Sequence, residues 1–415
     1  VYVPHQVSYA PGYVTPDTGQ PKTTYSYDAL GRVTQVTYPD TTTVRTFYDG
    51  LNDGAKRTVV DENNHQKVYE TDALGRLVRV REYTGAYPNA TLYATTTYAY
   101  NVLDLLETVS DQAGNVTTIT YDRMGRKTQI QDVDMGAWSY AYDAASNLTR
   151  QTDARNQSIN FCYDELNRLI GKDYDGTYNC AAKSGFEVAY TYDDQTGGNL
   201  GKGYRTGMTD SSGGTAWKYD ARGRVVQEAK TITGVGTFTT QWTYNSRDQV
   251  VNTVYPAGGG QASETVTSAY GVWGQAASLT GSSNYVVGML PDNAGRIDFI
   301  KLGNTSANPR LVIDYNYHDW TTTNGRGRLS QIRTGPPDNP TQVQDVNYQY
   351  DAVGNVSSIT DNKPTSETLS FGYDELDRLT SVSNAYSRSY TYQAIGNIAS
   401  RTSSVTTTYN YSAAH

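Results

Sequence analysis

The chain has 415 residues, a formal net charge of −8, four His and two Cys. Leu, Ile, Val and Phe make up about 17 % of it, under the rough 20 % line where disorder becomes the expectation. So small a charge over that length does not fit a disordered chain, however. No run reaches the apolar length that a transmembrane helix needs, and Lys and Arg form no cluster able to neutralise nucleic-acid phosphates. Tyr dominates the aromatics, 37 against six Phe and five Trp. A chain poor in Leu but rich in Tyr, Thr and Val suits pleated, half-exposed strands.

In chain order, residues 1–24 read as an N-terminal strand segment. The start, VYVPHQVSYA, has no Met, basic n-region or apolar h-region, so the chain is expected to be a piece of something longer. From residue 25 to 415 one motif recurs without interruption. Its full copies are YDALGR (Tyr27, Asp28, Gly31, Arg32), TDALGR (Asp72, Gly75, Arg76) and YDRMGR (Tyr121, Asp122, Gly125, Arg126). YDELNR (Tyr163, Asp164, Arg168), YDARGR (Tyr219, Asp220, Gly223, Arg224), YDAVGN (Tyr350, Asp351, Gly354) and YDELDR (Tyr373, Asp374, Arg378) follow. Weaker copies begin at Tyr48, Tyr100, Tyr142, Tyr192, Tyr244, Tyr270 and Tyr392, and decayed ones at Pro291 and Tyr317, giving about sixteen units.

Each unit has an internal logic. An aromatic two residues before the motif Tyr, as in Tyr25 and Tyr27 or Trp217 and Tyr219, puts two rings on one face of a strand. The Asp then accepts backbone N–H groups of the turn. The fifth position is Gly, Asn or Asp, the residues that tolerate positive φ; Ser146 departs from this with no reason visible in the sequence. Apolar residues then recur one and four places after the Arg, as at Val33 and Val36. That odd offset requires a bulge or a longer turn. Each unit is thus a β-hairpin, and no ten-residue stretch carries helical periodicity.

Some 32 strands at about 4.8 Å each would span roughly 150 Å. Open sheets rarely pass about ten strands without curling, so the ribbon is expected to wind into a spiral or close on itself. Equivalent tyrosines of successive hairpins are expected to stack along one face. Residues about 251–310 are the least regular, either diverged repeats or a change of curvature, and GPPDNP at 335–340 is expected to be a rigid surface loop.

This pattern resembles the RHS or YD-repeat family over essentially the whole chain from about Tyr25. The family includes bacterial RHS proteins, the B–C component of insecticidal toxin complexes and the teneurins. The resemblance implies an all-β fold in which tandem hairpins form a spiralling, curled β-sheet shell. In toxin members that shell holds a C-terminal toxin, released by an aspartyl autoproteolytic centre in a closing domain. Neither that domain nor a toxin sequence is found before His415, so the resemblance implies shell wall alone.

Candidate chemistry is thin. The histidines (His5, His65, His318, His415) are scattered and none has Cys or Glu at ligand spacing, so no metal or cofactor is expected. GKGYRTG at 201–207 lacks the third glycine and the helix of a dinucleotide loop and reads as a hairpin tip. The recurring Asp serves the turns, and the recurring Arg is expected to lie over neighbouring rings and pair with Asp. Asn115-Val-Thr and Asn147-Leu-Thr match glycosylation sequons only because turn Asn precedes strand Thr. Cys162 and Cys180 flank one hairpin, either as a disulfide or as two reduced, buried thiols. A disulfide there would add roughly 3 kcal/mol and favour an extracytoplasmic setting.

Two functional readings follow. One is a non-enzymatic wall segment of a secreted bacterial shell that encapsulates or delivers an effector. The other is an extracellular or cell-surface adhesion, glycan-binding or assembly protein built from the same repeats. The partners expected are the rest of the parent chain, further copies through open strand edges, an enclosed effector or a surface glycan, and not nucleic acid. An enzyme acting on polysaccharide is disfavoured, because no carboxylate pair stands out from the turn Asp set.

Overall fold

Alternation along the strands sets the architecture. In Gly136–Tyr142, Trp138, Tyr140 and Tyr142 are half-buried, whereas Ala137, Ser139 and Ala141 between them are exposed. The period of two presents rings to one face and small residues to the other. The computed structural model describes residues 19–49, 55–306 and 308–411. It contains 33 strands in one antiparallel sheet, and the one helical piece among the described residues is the 3₁₀ turn Thr196–Gly198.

The odd offset is met by a bulge. Ser26 faces Gln35 but Tyr27 faces Val33, so Thr34 is left over. The same one-residue slip sits beside Tyr142, Tyr163, Tyr219, Tyr350 and Tyr373, among others. A bulge increases local twist, and repeating it once per hairpin biases the ribbon to coil.

Position five of the turn has positive φ in most copies: 76° at Gly31, 60° at Asn167 and 62° at Asp377. Ser146 shares this conformation at 70° and accepts a hydrogen bond from Arg126 Nη1 at 3.2 Å. The turns at the other end of the hairpins use the same device. Asp61, Asp111 and Asp153 each accept the N–H four residues on, and Asn64, Gly114 and Asn156 take positive φ. The pattern Asp-x-x-[Gly/Asn] at 61–64, 111–114 and 153–156 is readable in the sequence, but lacks the Tyr and Arg that advertise the first set.

Two compact units are distinguished, one made of the chain up to Val116 and from Val287 on, the other Thr117–Val286. In the second unit, consecutive hairpins pair from Lys127–Asp132 through Ala276–Thr280. The less regular stretch keeps the strand–turn–strand order, with strands Val250–Tyr255, Glu264–Tyr270, Ala276–Thr280, Asn284–Pro291 and Ile297–Leu302. In the first unit, hairpins about 290 residues apart in sequence lie side by side, as the bond between Gly85 and Glu375 shows.

Among the described residues, buried apolar side chains are few: Val60, Val68, Ala94, Val346 and Val382 in the first unit, Cys162 and Ile170 in the second. The sheet is one layer thick and side-chain packing between hairpins replaces a deep core. The segment 1–18 and the turn of the copy beginning at Tyr48 lie outside the described residues.

Candidate functional site

The recurring site is a clamp of Asp, Arg and Tyr at the motif turns that keep both the Asp and the Arg. Asp28 Oδ1 accepts the N–H groups of Leu30 and Arg32, both at 2.9 Å, and its Oδ2 takes Arg32 Nε at 2.7 Å. Asp72–Arg76, Asp122–Arg126, Asp164–Arg168, Asp220–Arg224 and Asp374–Arg378 repeat this geometry. The paired guanidinium then lies over the motif tyrosine of the next hairpin: Arg32 is 4.2 Å from the Tyr48 ring, Arg126 4.8 Å from Tyr142 and Arg378 4.7 Å from Tyr392. That tyrosine's hydroxyl reaches back to the carbonyl just after the same arginine, as Tyr48 to Val33, Tyr142 to Lys127 and Tyr392 to Leu379.

The clamp persists where its cation is lost. Asn147 and Asn355 donate from their amides to Asp143 and Asp351 in the arginine's place. Tyr163 and Tyr373 still donate to the carbonyls of Leu148 and Val356, as Tyr350, under the retained Arg328, does to that of Leu329. Tyr219 donates to Arg205 O at 2.6 Å and its ring stacks on Tyr204 at 4.7 Å. Tyr121 is half-buried, and Tyr27, on the first hairpin, is exposed.

The expected ladder of stacked tyrosines is not what forms. Among the described residues two ring pairs stack, Phe47–Tyr87 and Tyr204–Tyr219, and neither joins equivalent motif positions. Equivalent rings are two strands, or about 9.6 Å, apart, and the guanidinium occupies the gap.

Hydrogen bonding dominates the clamp's electrostatics. The backbone N–H of Arg32 and its guanidinium hold Asp28 below its ordinary carboxylate value. The Arg76 guanidinium does so for Asp72, and the Arg126 backbone N–H for Asp122. At Asp164 and Asp220 burial is the largest influence and pushes upward, but the bonds from Arg168 and Arg224 outweigh it. These carboxylates are ionised and engaged, which suits structure and not proton transfer.

A second cluster lies in the first unit, where motif turns of the later hairpins meet opposite-end turns of the earlier ones. Arg326 pairs with Asp40 at 3.1 Å and Glu62 at 2.8 Å, and its guanidinium lies 4.1 Å over the Tyr38 ring. The Arg326 side chain is 12 % exposed and that of Asp40 0 %. Asn63 donates to Asp351, the Gly85 N–H to Glu375, and Arg378 to the Tyr93 hydroxyl. Beside these, a 190 Å³ pocket is lined by Asp61, His65, Lys67, Tyr69, Glu375, Leu376 and Asp377 among others. His65 Nδ1 is buried there without a hydrogen-bond partner, 3.7 Å from Asp61 Oδ2. Burial, with the charge of Asp377 adding to it, holds the Asp61 carboxyl above its ordinary value. Sequence reasoning missed this seam, because nothing in the repeat says which distant turns meet.

Cys162 and Cys180 are joined in a disulfide with Cα atoms 5.3 Å apart. Asp173, Asp175 and Glu187, in the same hairpin and its neighbour, bring carboxylate oxygens within 4.8 Å of one another. All three already accept backbone N–H groups, Asp173 from Gly176 and Thr177, Asp175 from Thr177, and Glu187 from Tyr174. His318 Nε2 is 3.1 Å from Tyr348 O, and His5 and His415 lie outside the described residues. The amides of both sequon asparagines are committed, Asn115 to Asp111 and Asn147 to Asp143. GKGYRTG runs from an expanded turn, closed by Asp193 N–H donating to Tyr204 O, into the strand Arg205–Asp210. A groove of 380 Å³ in the second unit is lined by small side chains, including Ala189, Thr191, Thr209, Ala216 and Thr231.

The comparisons with known proteins agree with this anatomy. The family described as RHS repeat matches residues 13–43 and 350–389. No curated protein matches in sequence. Among solved structures, TcdB2-TccC3 without its hypervariable C-terminal region is similar at 18 % identity and a TM-score of 0.76, covering 92 % of this chain and 21 % of that one. Intact TcdB2-TccC3 has the same identity and TM-score, with 92 % and 22 % covered. The Photorhabdus luminescens Tc holotoxin pore also has both values, with 91 % and 21 % covered. The chain spans about a fifth of the length of these solved chains. Two stretches of the chain thus match the RHS repeat, and the fold over about nine-tenths of it is similar to that of the TcdB2-TccC3 structures.

Proposed function

We propose that this chain is a non-enzymatic wall segment of a secreted RHS/YD-repeat shell that encapsulates or delivers an effector. In this reading residues 25–415 are one continuous repeat array, 1–24 its leading strand segment, and the motif residues are structural. The observation that carries the proposal is the seam. Arg326, Asp351 and Glu375 dock on turns near Asp40, Asn63 and Gly85, so one ribbon lies against itself as a wall must. The engagement of the turn carboxylates supports a non-enzymatic role, and the Cys162–Cys180 disulfide suits an oxidising, extracytoplasmic setting.

The glycan-binding alternative gains less support. Sugar stacking needs free ring faces, whereas many motif tyrosines lie under guanidinium groups with their hydroxyls bonded. Electron cryo-microscopy of the natural gene product tests the proposal. A curved wall with density enclosed behind it is the expected result. A straight ribbon that encloses nothing would sink the idea.

A further inference from the structure

The pocket beside the seam gathers like charge. One wall is the opposite-end turn at 60–65, which brings Asp61 and His65, with Lys67 and Tyr69 on the strand that follows. The other wall is the motif turn at 374–378, which brings Glu375, Leu376 and Asp377. Three carboxylates, from two turns far apart in the chain, therefore face one small space.

The cations at this place are already engaged. Lys67 Nζ is 2.8 Å from Glu82 Oε1, Arg378 holds Asp374, and Arg326 holds Asp40 and Glu62. Asp351, in the neighbouring motif turn, accepts the amides of Asn63 and Asn355. Glu375 accepts the Gly85 N–H and Asp377 the Asn355 amide, and both donors are uncharged. Asp61 Oδ1 accepts the His65 N–H at 2.8 Å. Its Oδ2 has the imidazole Nδ1 at 3.7 Å, outside hydrogen-bond reach, and that Nδ1 is buried without a partner.

We propose that this pocket is a proton-operated latch. One proton taken up by the Asp61–His65 pair tightens the docking of turn 374–378 on turn 60–65, and its loss loosens the seam. The proton neutralises Asp61 or charges His65, and two groups so close titrate as a pair. Either way the pocket gains one positive charge, which offsets the repulsion between Asp61 and Asp377. Water and salt screen that repulsion less in a shielded pocket than at an open surface. Burial holds the Asp61 carboxyl above its ordinary 3.8 in the docked state. The contribution is therefore full in acid and is lost as pH rises through the docked value. The latch stands on the docked turns alone, so its failure would leave the wall reading untouched.

Hydrogen exchange of the 415-residue chain, followed by mass spectrometry and corrected for the intrinsic rate at each pH, tests this. Amides of turns 60–65 and 374–378, with that of Gly85, should gain at least about threefold in protection between about pH 7 and about pH 4. Turn 153–157 of the second unit is of the same kind, but there the Gln157 N–H holds Asp153 below its ordinary value. It should gain nothing, whereas general relief of the chain's net negative charge would protect both turns alike. Asp377→Asn keeps a residue suited to positive φ, as Asn167 is at the same position. Its seam turns should be at least about threefold better protected than the parent's at about pH 7, with a smaller gain in acid. Asp61→Asn should lose most of the gain. Circular dichroism checks the fold, and Asp377→Gly, the residue found there at Gly31 and Gly75, serves if Asn does not fold. The latch is overturned if the parent's seam turns gain nothing, or if turn 153–157 gains equally. It is also overturned if Asp377→Asn is no better protected at neutral pH, or if either Asn variant keeps the full gain.

Discussion

The motif turns of the early hairpins and those of the late hairpins in the first unit share one local structure and have different surroundings. At Asp28–Arg32 the ion pair is open to water, with 43 % of the Arg32 side chain exposed. At the seam the Arg326 guanidinium is held between two buried carboxylates, an aromatic ring and the Ala352 carbonyl. The turn is the same device in both places, and its energetic weight is set by what lies against it.

The largest expected effect is at Arg326. Arg326→Met leaves Asp40 and Glu62 buried without their cation, which should cost about 3–5 kcal/mol in urea unfolding. Arg32→Met, at an exposed pair, should be barely resolvable beside it. Similar losses at the two sites would erase the distinction between free and docked turns. A second fastening lies in the other unit, where the disulfide spans a sequence separation of 18. Replacing Cys162 and Cys180 by Ser should cost roughly 3 kcal/mol, and unchanged stability in reductant would argue against any contribution.

Glycines sharpen the comparison. Gly75 has φ of 82° with open space where a Cβ would go, so Gly75→Ala should cost about 1–2 kcal/mol from backbone strain alone. Gly354 has φ of 113°, and a Cβ there would stand 2.7 Å from Arg328 Nη2. Gly354→Ala should therefore cost more than Gly75→Ala in the same urea titration, and the reverse order would show that crowding near the seam is not limiting.

The smallest effects are in pH dependence, and they have opposite signs. Asp28 lies below its ordinary value of 3.8, so its contribution is present above that pH and is lost on acidification through the folded value. Asp61 lies above 3.8, so the folded protein holds that proton more tightly and loses stability as pH rises through the folded value. Asp61→Asn should then be more stable than the parent at about pH 7, an advantage that shrinks toward about pH 4. Asp28→Asn should be less stable at neutral pH, with its deficit shrinking on acidification. Urea midpoints at the two pH values decide both, and matching signs would contradict the assignment.

Much of the local structure was legible in the residues. Asp at position two, Gly or Asn at position five and the aromatic pair define a hairpin by themselves, because turn geometry and strand period are short-range. The offset of Val33 and Val36 announced the bulge for the same reason. Ser146 was opaque, since the arginine that bonds it belongs to the preceding hairpin. The absence of a tyrosine ladder is not legible there, because the spacing between equivalent strands, and the arginine that fills it, belong to the assembled sheet.

The sequence opened on a contradiction, too few aliphatic residues for a globule and too little charge for disorder. By itself it determined a one-layer ribbon of hairpins, since each repeat carries its own turn, bulge and ring. Tertiary structure alone decided which turns are docked and which are bare. That depends on which distant turns meet, as Arg326 meets Asp40 and Leu376 the pocket beside Tyr69. Arg326 and Asp40 are 286 residues apart in the chain, and no single repeat encodes a partner so far away.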